Sequence, residues 1–287
     1  MKRKKLNNII ISILCILGAA AVAISVHALM PSPGATLNEE NFNSLPVRIF
    51  GFPIVASTYF IFLYLHIVIV IRYFGAKTNM DNNEIGLRYG AVFALIYFMG
   101  MQEVVVEASP FLNWGFDFVF YQFFMGLGDA IPAFILCMVV ACLTLGIKKE
   151  KSLDKVLFSN SNAISILVIT LAFFLERVIG YIVGYIDSDI EKFPIPVLVW
   201  TILFGVILGI AYILVRPIYE HKNSIQISLD IMILTLGINW IIFNSFIGMI
   251  LADTIFPMLI RSGVDIAVLF IVTILLNKLL LRKAHNK

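Results

Sequence analysis

Apolar segments that are long enough to cross a lipid bilayer recur along the whole chain, and they constrain its fold more than any other feature. A membrane-spanning helix needs about 20 predominantly apolar residues, because the hydrocarbon core is about 30 Å thick. Since a lipid-exposed backbone must satisfy its own hydrogen bonds, such segments predict an all-α polytopic membrane helix bundle, here a single integral-membrane domain of residues 1–287. The predicted spans, numbered 1 to 8 in chain order, are Ile9–Met30, Ile49–Tyr73, Tyr89–Ala108, Phe118–Ile147, Ala163–Ile186, Ile195–Val215, Ile225–Leu251 and Phe256–Leu281.

The composition agrees with this fold class. Hydrophobic residues make up 60% of the 287 residues and charged residues only 14%, whereas soluble domains carry about 25% charged residues. We therefore expect the lipid bilayer as the surroundings, the cell membrane as the location and no nucleic-acid partner. A homo-oligomer or a membrane complex partner is left open. The three cysteines all lie in apolar spans, without a CxxC pair or a Cys/His cluster, so we predict no disulfide, no metal site and no cofactor.

The positions of Lys and Arg predict the orientation, because cytoplasmic loops are enriched in both. With the N-terminus inside, the inner segments hold 17 of the 21 Lys and Arg residues and span 5 holds Arg177, while the outer segments hold only Arg48, Lys192 and Arg261. Both chain ends are therefore predicted to be cytoplasmic, and "outer" denotes the opposite side. The first apolar run also has the outline of a signal peptide, but it continues to Met30 and is long enough to be retained as span 1.

Ionisable groups within the spans are the main functional signal, since a carboxylate in lipid costs a few kcal/mol or more. Counting from the span ends at about 1.5 Å per residue places polar side chains of spans 3, 4, 5, 7 and 8 in one layer of the outer half. His27 of span 1 can join this layer, whereas His66 and Asp230 lie nearer the inner face and are given a structural role. The candidates for binding a solute or an ion are Glu103, Glu107, Asp129, Glu176, Arg177, Asn244 and Asp265.

Glu103 and Glu107 are four residues apart, so they share one face of span 3. Two ionised carboxylates on one face repel, so either one of them holds a proton near neutral pH or a cation lies between them. This is the physical requirement for a proton-coupled or cation-binding site. In the alternative interpretation, Glu107 lies in water at the membrane interface and only Glu103 is buried.

Arg177 keeps its charge even in apolar surroundings, so a carboxylate must neutralise it. The adjacent Glu176 points about 100° away around the helix and is a poor partner. We therefore expect the partner on another span, at Asp129, Glu103 or Glu107. A buried ion pair that only holds the helices together is the structural alternative.

Span 4 contains Gly126-Leu127-Gly128-Asp129, followed by Pro132. Over these few residues the chain resembles the GxGD motif of the intramembrane aspartyl proteases, the presenilin and signal-peptide-peptidase group, and the resemblance implies that Asp129 is a catalytic acid. The second aspartate of those enzymes, in a Tyr-Asp motif on an earlier span, and their later Pro-Ala-Leu are both missing here. Asp265 could face Asp129 only in an order that those families do not use. We interpret the glycines as helix-packing residues beside a buried acid.

Further patterns concern helix packing and depth. Gly180/Gly184 in span 5 and Gly205/Gly209 in span 6 are pairs of small residues four apart, which permit close helix contact. Trp200 is placed in the aromatic belt near the outer boundary.

Asp129 in span 4 and Asp265 in span 8 both follow a small-residue turn at the outer side. Each half of the chain contains four spans, so the halves would be parallel. This is a faint indication of duplication between residues 1–150 and 151–287.

The chain has no HExxH, no GxSxG and no P-loop, and we assign no catalytic residue. The leading hypothesis is a transporter-like or permease-like protein that handles a proton, a cation or a small polar solute, with Glu103, Glu107 and Asp129 as titrating groups and Arg177 as counter-charge. Two alternatives stay open. One is an intramembrane enzyme, aspartyl-protease-like or lipid-modifying, that uses Asp129 with a second carboxylate. The other is a non-catalytic membrane partner, such as an immunity, sensor or assembly subunit.

Overall fold

The structure is a computed structural model that describes residues 2–30, 42–106, 116–146, 160–219 and 223–285. These ranges contain helices and no strand. The π-helical segments Ile71–Gly75 and Leu229–Gly237 and the 3-10 turn Arg216–Ile218 extend neighbouring helices. The α-helices are α1 (Lys2–Leu29), α2 (Leu45–Phe50), α3 (Phe52–Val70), α4 (Asn82–Met101), α5 (Glu103–Val106), α6 (Phe116–Thr144), α7 (Asn160–Val183), α8 (Pro194–Val215), α9 (Ser224–Ser228), α10 (Ile238–Ile250) and α11 (Ile255–His285).

Eight helical segments within the described ranges are long and apolar enough to cross a membrane, which confirms the predicted all-α polytopic bundle. Span 3 begins at Asn82, earlier than predicted, because the Asp81 side chain accepts a hydrogen bond from the Asn83 N–H and caps the helix. Spans 1 to 8 are Leu6–Leu29, Phe52–Gly75, Asn82–Val106, Asp117–Thr144, Asn160–Val183, Pro194–Ile218, Ser224–Ile250 and Ile255–Leu279.

Two breaks lie at the outer ends of spans 2 and 3. Gly51 has a φ of 81°, in the left-handed region that favours glycine, and it separates α2 from α3. Span 2 therefore starts at Phe52 rather than at the predicted Ile49. Gln102 forms the C-cap of α4, and the chain continues as the short helix α5. Glu103 is thus the first helical residue after a break.

Each span packs mainly against two others, which gives the cyclic order 1-2-7-8-5-6-3-4 around the bundle. Spans 2 and 4 also touch each other. Leucines and isoleucines on the outer faces, such as Leu14, Ile135 and Leu175, are exposed where lipid surrounds the bundle. The interior is filled by fully buried side chains that include Leu63, Tyr64, Ile67, Phe93, Tyr97 and Phe204.

Gly205 and Gly209 allow spans 5 and 6 to pack closely, as the small-residue spacing predicted. A Cβ on Gly205 would lie 3.1 Å from Thr170 Cα, and a Cβ on Gly209 would lie 2.8 Å from Ile166 Cα. Gly184 has a different role, because its φ of 84° places it in the left-handed region just after the end of α7. It terminates the helix, and a Cβ there would meet nothing within 4 Å.

Span 7 opens into π-helical turns at Leu229–Gly237. There the Thr235 hydroxyl donates to the Asp230 carbonyl at 2.8 Å. Tyr219 lies between two hydroxyls, at 3.0 Å from that of Tyr89 and in a short hydrogen bond with that of Thr235. These bonds satisfy buried polar groups near the inner end, so this part of the bundle has a structural explanation.

Two ring N–H groups tie spans together in the interior. Trp200 is only 4% exposed, and its Nε1 donates to the Met99 carbonyl at 3.0 Å, so its predicted place in the aromatic belt was wrong. His66 donates through Nε2 to the Leu234 carbonyl at 3.0 Å, and its Nδ1 lies 3.3 Å from Nδ2 of Asn239. Each ring therefore connects two spans that are distant in sequence.

Candidate functional site

Arg177 of span 5 is fully buried and connects three spans. Its Nε donates to Asp265 Oδ1 at 2.8 Å and its Nη2 donates to Oδ2 at 2.7 Å, which is a bidentate pair. Its Nη1 donates to Glu103 Oε1. Glu103 was among the expected partners of Arg177, whereas Asp265 was not, and Asp129 pairs elsewhere.

Aromatic rings surround this ion pair. The guanidinium carbon of Arg177 lies 4.9 Å from the Phe173 ring centroid and 5.7 Å from that of Trp200, within range of a cation–π interaction. Trp240 Nε1 donates to Asp265 Oδ2 at 2.9 Å. These contacts offset the loss of water around the buried charges.

Glu176 lies beside the ion pair rather than within it. Its Oε2 is 3.7 Å from Arg177 Nε, which is too far for a hydrogen bond, as expected for consecutive helical residues. Tyr185, in the outer loop after span 5, donates to Glu176 Oε1 at 2.6 Å. Burial raises the pKa of the Tyr185 phenol, and the hydrogen bond to Glu176 raises it further, so this phenol is a hydrogen-bond donor at neutral pH.

Arg261 is a second buried cation, and the prediction that placed it in an outer segment was wrong. It lies within span 8 and is only 3% exposed. Its Nη2 donates to Asn244 Oδ1, and its Nη1 is 3.6 Å from Glu103 Oε1. The missed signal was its spacing, because Arg261 precedes Asp265 by four residues and so shares its helix face.

Asp129 of span 4 pairs with His27 of span 1. The Asp129 residue is 1% exposed, and its Oδ1 lies 2.8 Å from His27 Nε2. Because a carboxylate only accepts, Nε2 carries the hydrogen in this pair. The His27 side chain remains 23% exposed. One of the three acids expected to neutralise Arg177 is therefore paired with a histidine instead.

The glycines before Asp129 let spans 1 and 3 approach span 4. A Cβ on Gly128 would lie 2.7 Å from Val26 Cγ1, and a Cβ on Gly126 would lie 2.9 Å from the Phe98 carbonyl oxygen. No side chain fits at these distances unless the neighbouring helix moves. This geometry supports the interpretation of the glycines as packing residues.

A cavity of about 30 Å³ lies between the two groups of charges. A water molecule needs about 10–15 Å³ by this measure, so the cavity has room for about one or two waters. Tyr59, Phe60 and Phe243 form part of its apolar wall. Five spans contribute polar side chains to its lining: His27, Glu103, Asp129, Asn244 and Arg261.

The predicted candidates divide into two groups. Arg177, Glu176 and Asp265 lie on the far side of Glu103, and Asp265 lines a separate, largely apolar cavity of about 20 Å³. Glu107 lies outside the described residues. Among the residues that the structure describes, no three His, Cys, Asp or Glu side chains are arranged to hold a metal ion. The candidates that line the cavity with His27 and Arg261 are Glu103, Asp129 and Asn244.

Comparisons with protein-family models, with curated proteins and with solved structures found no match. An inference about function therefore rests on the chemistry of the site itself.

Proposed function

We propose that this multi-pass membrane protein is transporter-like or permease-like, and that the cavity binds a proton, a cation or a small polar solute. The observation that carries the proposal is that Asp129 and Glu103, from two different spans, line one water-sized space within the bundle. Ionisable residues that line a cavity between membrane helices typically mark ion or substrate pathways. We also propose the cell membrane as the location, with the basic segments facing the cytoplasm.

The charges around the cavity favour a cation or a proton over an anion. Four carboxyl groups belong to the network in the described residues, and two arginines, Arg177 and Arg261, supply permanent positive charge. His27 adds a third positive group to this network when it is protonated. Even then the four carboxyl groups exceed the positive groups by one, and a small cation or a further proton restores the balance.

The alternative enzyme hypothesis receives less support from this geometry. An aspartyl-protease-like mechanism needs two carboxyl groups at one reachable cavity. Asp129 and Asp265 line separate cavities. Asp129 and Glu103 do line one cavity, but Asp129 is paired with His27 and Glu103 with Arg177, so each carboxylate is already engaged by a base. The hypothesis of a non-catalytic membrane partner predicts instead that no solvent-connected pocket reaches the acids.

Asp129→Asn is expected to reduce transport by about tenfold or more, because it removes a carboxylate from the cavity while keeping its shape. The measurement uses purified protein in liposomes on a solid-supported membrane. Monovalent cations, amino acids and small sugars are applied in turn, and the evoked current is recorded for wild type and variant.

Asp253→Asn is the matched control for this experiment. Asp253 is exposed in the loop between spans 7 and 8, and its φ of 62° is tolerated by Asn as well as by Asp. We expect wild-type currents from this variant. The proposal is wrong if no solute evokes a current in the folded wild-type protein, or if Asp129→Asn behaves like the control.

A further inference from the structure

The arrangement of the spans repeats itself within the bundle. The cyclic order 1-2-7-8-5-6-3-4 does not change when span 1 is exchanged with span 5, span 2 with span 6, span 3 with span 7 and span 4 with span 8. Each contact in this cyclic order has a counterpart: 1 with 2 matches 5 with 6, 3 with 4 matches 7 with 8, 1 with 4 matches 5 with 8, and 2 with 7 matches 6 with 3. The contact between spans 2 and 4 lies outside this order, and no comparable contact joins spans 6 and 8 in the described residues. Parallel repeats in transport proteins are related in this way, by an axis along the membrane normal.

The ring N–H bonds of the interior follow the same exchange. His66 of span 2 donates to the carbonyl of Leu234 in span 7, and Trp200 of span 6 donates to the carbonyl of Met99 in span 3. His66 and Trp200 are 134 residues apart along the chain, and Met99 and Leu234 are 135 residues apart. The same kind of bond therefore joins corresponding pairs of spans, although His66 lies 14 residues after the start of span 2 and Trp200 only 6 residues after the start of span 6.

The buried acids follow the exchange as well. Asp129 of span 4 pairs with His27 of span 1, and Asp265 of span 8 pairs with Arg177 of span 5. Asp129 and Asp265 lie 136 residues apart, whereas His27 and Arg177 lie 150 residues apart, so the two bases stand on corresponding spans but not at corresponding positions. Each half thus has one acid–base pair between its first and fourth spans, and the two pairs differ in the base.

We infer that the chain consists of two four-span halves of like topology and that His27 is its proton-binding residue, on the span that corresponds to the one that carries Arg177 in the second half. This inference deepens the transport function proposed above, on which its role in coupling rests, by naming the proton as the coupled ion. An imidazole changes charge between about pH 5 and pH 8, whereas a guanidinium stays charged. One acid–base pair therefore responds to pH, and the other does not.

The groups that face His27 suit a proton site. From span 4, Asp129 accepts the Nε2 hydrogen at 2.8 Å. Tyr59 of span 2, Glu103 of span 3 and Arg261 of span 8 line the same cavity. A proton from water adds to the lone pair of His27 Nδ1, and the product is an imidazolium paired with a carboxylate.

The cavity also lies between the two halves. His27, Glu103 and Asp129 belong to the first half, and Asn244 and Arg261 belong to the second. Proton binding at His27 changes the charge at the surface along which the halves meet. In transporters with internal repeats, movement of one repeat against the other exposes the site alternately to the two sides.

A pH jump in the absence of any solute tests the inference. Proteoliposomes on a solid-supported membrane are stepped from about pH 8 to about pH 5.5, the range in which an imidazole gains a proton. The wild type is expected to give a transient current as protons enter the membrane. His27→Arg, which copies the pair of the second half, and His27→Gln both keep the charge at this position constant. Each variant is expected to reduce the charge moved, which is the integral of the transient current, by about tenfold.

His66→Gln is the matched control, because His66 is the other histidine within the described spans and its ring is held by Leu234 and Asn239. It is expected to keep the wild-type current. Size-exclusion chromatography identifies folded variants, and His27→Gln decides the result if His27→Arg is not folded. The inference is overturned if the wild type gives no current or if folded His27 variants keep it. A current that depends on His27, without any solute-evoked transport, would instead contradict the proposed transport function alone.

Discussion

Arg177→Leu is expected to destabilise the protein by about 3–5 kcal/mol, a large share of the total stability of a typical domain. The substitution removes the only group that donates two parallel hydrogen bonds to Asp265, and it also leaves Glu103 without its shortest contact in the described network. Two carboxylates would then remain buried with too little positive charge. Removing one partner of a buried pair costs far more than the pair contributes in net terms, because the remaining charge has no water to solvate it.

The measurement is the midpoint of heat-induced loss of the monodisperse peak in size-exclusion chromatography, with the protein in detergent. Arg48→Leu is the matched control, because Arg48 is exposed at the outer end of the bundle. We expect the control to unfold close to the wild-type temperature. Arg177→Lys should fall between the two, since a lysine keeps the charge but cannot form the fork of parallel bonds. If Arg177→Leu is as stable as Arg48→Leu, the ion pair does not hold spans 3, 5 and 8 together.

Gly209→Leu is expected to cost about 3 kcal/mol, because it forces a side chain into a closely packed helix contact. Even a single Cβ at Gly209 would lie 2.8 Å from Ile166 Cα and 3.1 Å from the Ile166 carbonyl oxygen. Those are backbone atoms, so span 5 itself must move away from span 6. In lipid, helix association depends strongly on close packing, and a separation of the two helices therefore loses many contacts at once.

The same thermal assay checks this result, and Gly18→Leu is its control. Gly18 lies on span 1, faces outward and has no atom within 4 Å of a built Cβ. An added leucine there meets lipid and should leave the unfolding midpoint close to that of the wild type. Equal midpoints for the two leucine variants would show that spans 5 and 6 do not pack through Gly209.

These two variants test different parts of the same architecture. Gly209 lies in the contact between spans 5 and 6, whereas Arg177 and Glu103 connect span 5 to span 3. The His27–Asp129 pair joins spans 1 and 4 and borders the cavity.

Several residues show which locations could be predicted from the sequence and which could not. Glu103 and Asp129 were placed inside the membrane and at the outer side, because burial of a carboxylate can be inferred from the apolar residues on either side of it. Arg261 was counted among the outer charges because it lies only five residues after the predicted start of span 8 at Phe256, so its burial was missed. Trp200 was assigned to the aromatic belt for the same reason, yet its ring lies in the interior.

The sequence by itself determined that the protein is an all-α membrane bundle, how many spans it has and which acids lie within them. These properties depend on the transfer of each residue into lipid and on the constant rise of a helix, both of which are local. Only the tertiary structure decided which groups meet. In it, Arg177 pairs with Asp265 and Glu103, and Asp129 pairs with His27. Arg261 and Asn244 line the cavity. The physical reason is that a partner depends on which helices are neighbours and on how each is rotated about its axis, and both are set by packing among distant segments.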